Sequence, residues 1–349
     1  MVVAPGLRYL VCFLPSVFVL TGNLLGSWWA ASNMVFTLGL LVIADFIIGK
    51  NKSQTHPSQI TQDLILYTAC FIHWLSAGTL LYGIGAGILK GQTLVFASVS
   101  TGLNAGLIGI TSAHELIHRK SLFQKRLGLI NLTLCLYLHF YIEHRLGHHA
   151  RVGTNEDPAT ARKGESFYRF FFRTVPGQWI SAWKLETSRL NRIRLSFWSN
   201  TNFMLWATVL QTAMVLGLWI FAPDGMLQGF VIQAFVAIFL LEYVNYIEHY
   251  GLSRKKGEPV LATHAWQSES ASSRFNLFEL SLHSHHHMDA KVPYGNLHWV
   301  ESECELPYGY FGMFYIALIP PLWFYMMDSR IPSQKTSPQS NYAPDIKSA

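Results

Sequence analysis

The stretch LHSHHHMD places His283, His285, His286 and His287 within five positions. Thirteen of the 15 histidines lie at or beyond His114, and they cluster. HELIH sets His114 four before His118. EHRLGHH sets His144 four before His148, with His149 adjacent. HSHHH sets His283 three and four before His286 and His287, and a further histidine, His249, closes the segment NYIEHYG. A neutral imidazole carries one lone pair and one N–H, which makes it either a proton carrier or a metal ligand. The spacing favours the second use, because residues three and four apart share a helix face and aim two or three rings at one point. One such histidine is ordinarily a packed core residue, but three clusters at helical spacing are not explained that way. A structural zinc site closes with four ligands, whereas at least nine nitrogens with no cysteine nearby call for two ions. Imidazole suits iron, copper, zinc and nickel, so ligand type alone does not choose the element.

The elements that must hold these rings are apolar. The chain has 349 residues, half of them hydrophobic, a mean hydropathy of +0.24 and only 13% charged side chains, against about 25% in ordinary soluble domains. That composition predicts an all-α integral membrane protein. The uncharged run from Tyr9 to Ala44 is too long for a signal peptide and holds two spans broken between Thr21 and Asn33. Further spans follow over Leu64–Leu89, Thr93–Ala113, Asn200–Pro223 and Met226–Leu241, giving six helices in three hairpins. The predicted organisation is therefore spans one to four in 1–113, a cytoplasmic histidine segment in 114–199, spans five and six in 200–248, a second cytoplasmic histidine segment with an apolar helix in 249–328, and a disordered tail from Ser329 to 349. Pro320-Pro321 interrupts the apolar run Leu306–Met327, which reads as a non-spanning, partly buried helix.

Basic residues set the orientation. Arg8, Lys50, Lys52 and the stretch Arg119 to Arg126 fall on one side and the intervening loops carry little charge, which makes that side cytoplasmic. Counted from Thr93 at about 1.5 Å per residue, His114 lies about 30 Å along its helix, and His249 reaches a similar depth from Met226. All the clusters thus meet at one membrane face. The net charge of +6 is the topology signal of a membrane protein, and nucleic-acid binding is excluded on that ground. Cys12, Cys70, Cys135 and Cys304 form no CxxC pair and read as small buried hydrophobes. Gly83, Gly85 and Gly87 lie inside a span with no strand before them and mark close helix packing.

The segments HELIHRK, EHRLGHHARVGTNEDPATAR, NYIEHYGL and NLFELSLHSHHH resemble the signature segments of the membrane-bound alkane hydroxylases (alkane 1-monooxygenases), within the wider histidine-rich di-iron desaturases and hydroxylases. The resemblance covers residues from about 60 to 300. It implies a non-haem centre of two iron ions held by His114, His118, His144, His148, His149, His249, His283, His286 and His287. Where the family has an acidic residue within the third box this chain has His285, which is left outside the ligand set. Glu115, Glu143, Glu248 and Asp157, and also Glu156 and Glu242, are placed to accept imidazole N–H groups and fix the tautomers. His264 and His298 share no helical face with another histidine, and His56, His73 and His139 read as loop or packing residues.

The implied activity is hydroxylation of the terminal carbon of medium-chain n-alkanes with O2, in a bacterial inner membrane, with substrate arriving from the bilayer. The sequence MDAKVPYGNL after the third box departs from the family pattern, which leaves open an aryl-methyl (xylene) monooxygenase; a fatty-acid desaturase shares the boxes. The chain has no CxxC iron site, dinucleotide fingerprint or flavin motif, so electrons come from another protein. The resemblance implies rubredoxin with its reductase. Arg151 to Arg194, with an excess of five positive charges, is the expected docking face for that acidic donor or for anionic lipid. A metal transporter is disfavoured, since transport sites sit at the bilayer midplane, not beyond one face.

Overall fold

The structure, a computed structural model, describes residues 5–53 and 55–332. Among them there is no strand, only two isolated bridges. Six helices are long and apolar enough to cross a membrane: α1 (Leu7–Leu25), α2 (Ser27–Ile47), α3 (Gln59–Gly85), α4 (Gln92–His118), α8 (Phe203–Phe221) and α9 (Met226–His249). Between α4 and α8 lie α5 (Leu122–Leu134), an irregular helical stretch over 140–151 here called α6, and α7 (Phe167–Arg192). After α9 come the short α10 (Ala271–Asn276) and α11 (His283–Met288), then α12 (Tyr310–Leu318) and α13 (Pro320–Met327). The expected apolar C-terminal helix is therefore two helices, parted at Ile319 where Pro320 begins the second. Most of the tail expected to be disordered, 333–349, lies outside the described residues. All four cysteines are free and buried.

The spans outrun the uncharged runs that announced them. Helix α4 continues through Glu115 to His118, and α9 continues through Glu242 and Glu248 to His249. A carboxylate inside a span is tolerated when it is hydrogen-bonded, and each of these is. Glu242 accepts from Tyr137 and Gln178 at 2.8 Å and from Asn245 at 3.1 Å. Glu115 pairs with Arg119 at 2.7 Å. Backbone helix formation carries on past such a residue, so the histidines that follow inherit the rigidity of the span.

Two of the histidine-bearing helices, α4 and α9, pack closely because α4 presents glycine. A Cβ at Gly102 would stand 2.6 Å from the carbonyl oxygen of Gln233 and one at Gly106 would stand 2.7 Å from Leu240 Cδ1. The rest of the frame is tied around residues 265–312. Tyr9 of α1 donates to Glu279 at 2.6 Å, Asp45 of α2 accepts from the hydroxyls of Ser270 and Ser273 and from the Gly312 amide, and Gln62 of α3 bonds Asn296 at 3.0 Å. Glu279 is held in turn by Arg274. These buried pairs fasten the third histidine segment to the same end of the bundle at which α4 and α9 finish.

Gly102→Val should destabilise the protein by about 1–3 kcal/mol, the range for overpacking a close contact. Gly78 of α3 has open space around it, so Gly78→Ala should be neutral or stabilising. Thermal unfolding in detergent, followed by fluorescence, compares the two; equal melting temperatures would contradict the close packing of α4 on α9.

Candidate metal centre

Each histidine is set by its element. His114 and His118 occupy one face of the last turns of α4. In α6 the residues Glu143–His148 form a π-helical turn, followed by His149. His249 is the last residue of α9, and α11 carries His283, His286 and His287. The structure gathers the nine into two groups. His114, His118, His144, His149 and His286 make one, and His148, His249, His283 and His287 make the other; within each group one ligand atom per ring lies within 4.8 Å of all the others. The division cuts across the sequence motifs. Neighbours on a helix point about 100° apart, so the adjacent pairs His148-His149 and His286-His287 each send one ring to each group. The groups therefore touch, with the His149 and His287 ring centroids 4.6 Å apart.

The nitrogen positions test whether metal fits. His144 Nε2 stands 3.0 Å from both His118 Nε2 and His149 Nε2, while His149 and His286 approach to 3.2 Å, as do His148 and His287. Nitrogens held about 2.1 Å from one ion at right angles stand about 3.0 Å apart. His249 Nδ1 faces the His264 carbonyl at 3.2 Å, which assigns its proton there and leaves the buried Nε2 a lone pair without a partner. His114 Nε2 is likewise buried and unpartnered. Burial, reinforced by the neighbouring imidazoles, holds His144, His149, His283, His286 and His287 well below the usual imidazole pKa. They are neutral, with lone pairs free for a cation. A nitrogen-only donor set of this kind fits a non-haem metal centre.

An apolar cavity leads to it. Leu107 and Ile110 of α4, Leu240 and Val244 of α9, Val42 of α2 and Phe314 of α12 are among its walls, and His114, His144 and His283 stand at its inner end, so both groups meet it. Its volume is about 70 Å³. Its polar edge is small: Glu248, Tyr310, Tyr243, Asn245, Thr37 and Thr111.

With this geometry in place, comparison with known proteins is informative. Residues 91–318 match the family model described as fatty acid desaturase. The chain is 35% identical over 321 residues to alkane 1-monooxygenase 1 of Pseudomonas aeruginosa, covering 87% of this chain and 84% of that protein. The chain belongs to the alkane 1-monooxygenases, within the fatty acid desaturase family. It is also 33% identical over 345 residues to an alkane 1-monooxygenase of Acinetobacter baylyi, covering 93% and 85% of the two chains. A more distant relative, 27% identical over 325 residues, is the xylene/toluene monooxygenase hydroxylase component of Pseudomonas putida, with 91% and 86% covered.

The carboxylates expected around the rings divide. Asp157 Oδ2 accepts from His148 Nδ1 at 2.9 Å, and Glu248 Oε2 lies 3.1 Å from His283 Nε2. Burial alone would raise the Asp157 carboxyl, yet the His148 imidazole and the Thr160 hydroxyl hold it below the ordinary range. The others serve elsewhere. Glu115 binds Arg119 and the Tyr294 amide, Glu143 binds Arg151 at 2.7 Å, Glu242 ties α9 to α7, and Glu156 pairs with Lys256 at the surface. Glu115 and Glu143 each directly adjoin a clustered histidine in sequence, and that adjacency turns them onto a different helix face. His285 is turned away from both groups for the same reason and packs against the tilted ring of His298, centroids 3.7 Å apart. His73 packs beneath Gly109, His139 meets Tyr137 edge to face at 4.1 Å, and His56 faces the Gly295 carbonyl.

Two features carried no sequence signal. Tyr310, from an apolar helix set aside as partly buried, donates to Glu248 Oε1 at 2.7 Å. The carbonyl of His264, not its ring, orients His249. A third had a faint one: π-helical turns at Phe36–Leu40, Ala105–Ile110 and Glu143–His148 all line the cavity or carry its histidines, as such turns commonly do at functional sites, and the run Gly102, Gly106, Gly109 marks the second of them.

Metal analysis of purified variants tests the assignment. His249→Ala should lose most of the bound metal, Asp157→Asn should weaken metal binding by about 10–100-fold, and His285→Ala should retain nearly the full content. Metal loss in His285→Ala with retention in His249→Ala would reverse the reading.

Proposed function

We propose that the chain is a membrane-bound di-iron monooxygenase that hydroxylates the terminal carbon of medium-chain n-alkanes, with the nine histidines as ligands, five to one iron and four to the other. The observation that carries this reading is an apolar cavity ending at two adjoining groups of largely buried imidazoles. Iron supplies the O2 activation and C–H attack that no side chain in this set can perform. One oxygen atom enters the C–H bond and the other leaves as water, which requires two electrons and two protons from outside.

The protein's part is placement. An alkane offers no polar handle, so its orientation comes from the shape of the walls that α2, α4, α9 and α12 contribute, and its tip is brought to His114, His144 and His283. Asp157 and the His264 carbonyl fix the rings of His148 and His249. Tyr310 holds Glu248 in position beside His283. The six spans form three hairpins with the histidines on the cytoplasmic side of a bacterial inner membrane, a reading supported by the basic residues near that end of the bundle. Electrons come from rubredoxin and its reductase. The basic turn Arg162-Lys163 lies against Gly251, two residues beyond His249, and suits an acidic donor; His118 and His149 are the ligand rings least enclosed. The departure after the third box keeps an aryl-methyl substrate as the second reading, which the 27% identity to a xylene/toluene hydroxylase component supports.

Expressed with rubredoxin and its reductase and fed linear alkanes of several lengths and toluene, the enzyme should yield primary alcohols from the alkanes by gas chromatography. Benzyl alcohol alone would favour the second reading, and an unsaturated acyl chain would make it a desaturase. Charge reversal at Arg162 and Lys163 should slow electron delivery and flatten its salt dependence; unchanged kinetics would remove that turn from the docking face.

A further inference from the structure

Helix α7 is not among the six spans, yet its first half packs on the apolar part of α9. The Phe167 ring lies 4.9 Å from Phe239, and Phe171 lies 5.8 Å from Phe239 and 5.9 Å from Phe235. At about 1.5 Å per residue, Phe239 and Phe235 sit about 15 and 21 Å below the His249 end of α9, within the hydrocarbon thickness of about 30 Å. The far end of α7 is fixed at the entry of another span: Phe203, the first residue of α8, donates its amide to Glu186 at 2.7 Å, and Arg189 donates to the Thr201 carbonyl at 2.8 Å. Only 11% of the α8 span is buried within the chain, as expected of a lipid-facing helix. Helix α7 thus runs from one lipid-facing span to another along the margin of the bilayer.

Its outer surface carries exposed aromatic and basic side chains. Tyr168, Phe172 (77% exposed), Trp179 and Trp183 fall at spacings of four, seven and four, which is one stripe along the helix. The stripe continues through Phe197, stacked on Trp183 at 5.4 Å, to Trp198, also 77% exposed. Around the same helix Arg169, Lys184 and Arg192, and Arg194 just past its end, are exposed and have no acidic partner among the described residues. From Ser166 to Pro223 the sequence contains one acidic residue, Glu186, which is buried and paired with Arg189.

We propose that α7 and the loop that follows it form an interfacial element that sinks its aromatic stripe into the edge of the hydrocarbon and takes the phosphate groups of anionic phospholipids on Arg169, Lys184, Arg192 and Arg194. Tryptophan and tyrosine belong at that depth, and each basic side chain near an anionic leaflet adds to binding. A soluble acidic protein would satisfy the charges but would leave the exposed aromatic stripe without cover. This assignment needs the chain only to be a membrane protein, so it stands or falls apart from the alkane reading.

The test uses the full chain, metal-loaded, in lipid nanodiscs of phosphatidylcholine with or without phosphatidylglycerol. Wild type should retain phosphatidylglycerol over phosphatidylcholine in native mass spectrometry after transfer to detergent, and the variant K184E/R192E/R194E should lose that preference by about tenfold or more with its metal content and melting temperature unchanged. Bromine-labelled acyl chains should quench the fluorescence contributed by Trp179 and Trp198, identified by difference from W179F and W198F. Undiminished phosphatidylglycerol preference in the triple variant would overturn the proposal. So would quenching of the two tryptophans by aqueous iodide instead of brominated lipid, or a triple variant whose sole defect is weaker binding of rubredoxin.

Discussion

Imidazole nitrogens forced to face one another in a buried place are the constraint on which this protein turns. Each neutral ring has one proton and one lone pair, and five rings converging on one point cannot all find donors among themselves. His144 Nε2 alone meets two other Nε2 atoms at 3.0 Å, and the buried Nε2 atoms of His114 and His249 meet no hydrogen-bond partner. A buried polar atom without a partner costs about 1–3 kcal/mol, so without cations the site works against the fold. With ions present the same convergence becomes the strongest set of contacts at this end of the molecule. Metal binding and the final packing of α4, α6, α9 and α11 are thereby one event.

That coupling explains the effort spent on the frame. The clustered histidines come from four elements spread from His114 to His287, and none of those elements brings a complete set to either group. The approach of α4 to α9 through Gly102 and Gly106 sets the distance between two of them. Buried ion pairs and carboxyl clamps at Asp45 and Glu279 fix the segment that carries a third. Such pairs contribute little net stability, because desolvation offsets their attraction; their consequence here is register, fixing where the third histidine segment sits.

Much of this was legible in the residues. Apolar runs announced six spans, and histidine spacing announced the metal centre, since both are periodic signals in local sequence. What stayed hidden depended on rotation and on partners distant in the chain. The runs stopped at charges, so the helices seemed to end near Ala113 and Leu241, whereas paired Glu115, Glu242 and Glu248 let them continue. Adjacency to a histidine suggested that Glu115 and Glu143 would support rings, but a step of one residue along a helix turns them toward Arg119 and Arg151, while Asp157, nine residues from His148, closes onto it. The division into five and four, with each HH pair shared, follows from the same rotation and has no trace in the motif boundaries.

The composition of the ligand set carries a chemical consequence. Nine imidazoles are nine neutral donors, so two divalent ions would keep their four positive charges in surroundings of low dielectric, where charge is costly. Ligands of this kind favour the reduced state over the oxidised one more than carboxylate ligands would. Partial compensation comes from one bond farther out, where Asp157 draws the Nδ1 proton of His148 and increases the electron density that this ring can donate. That ring belongs to the group of four. The group of five is built around His118 and His149, the rings least enclosed, and no carboxylate hydrogen-bonds to any of its five rings among the described residues. Were each group to hold an ion, the two positions would be electrostatically unequal, with the richer donors in the group of four and the poorer ones in the less enclosed group of five.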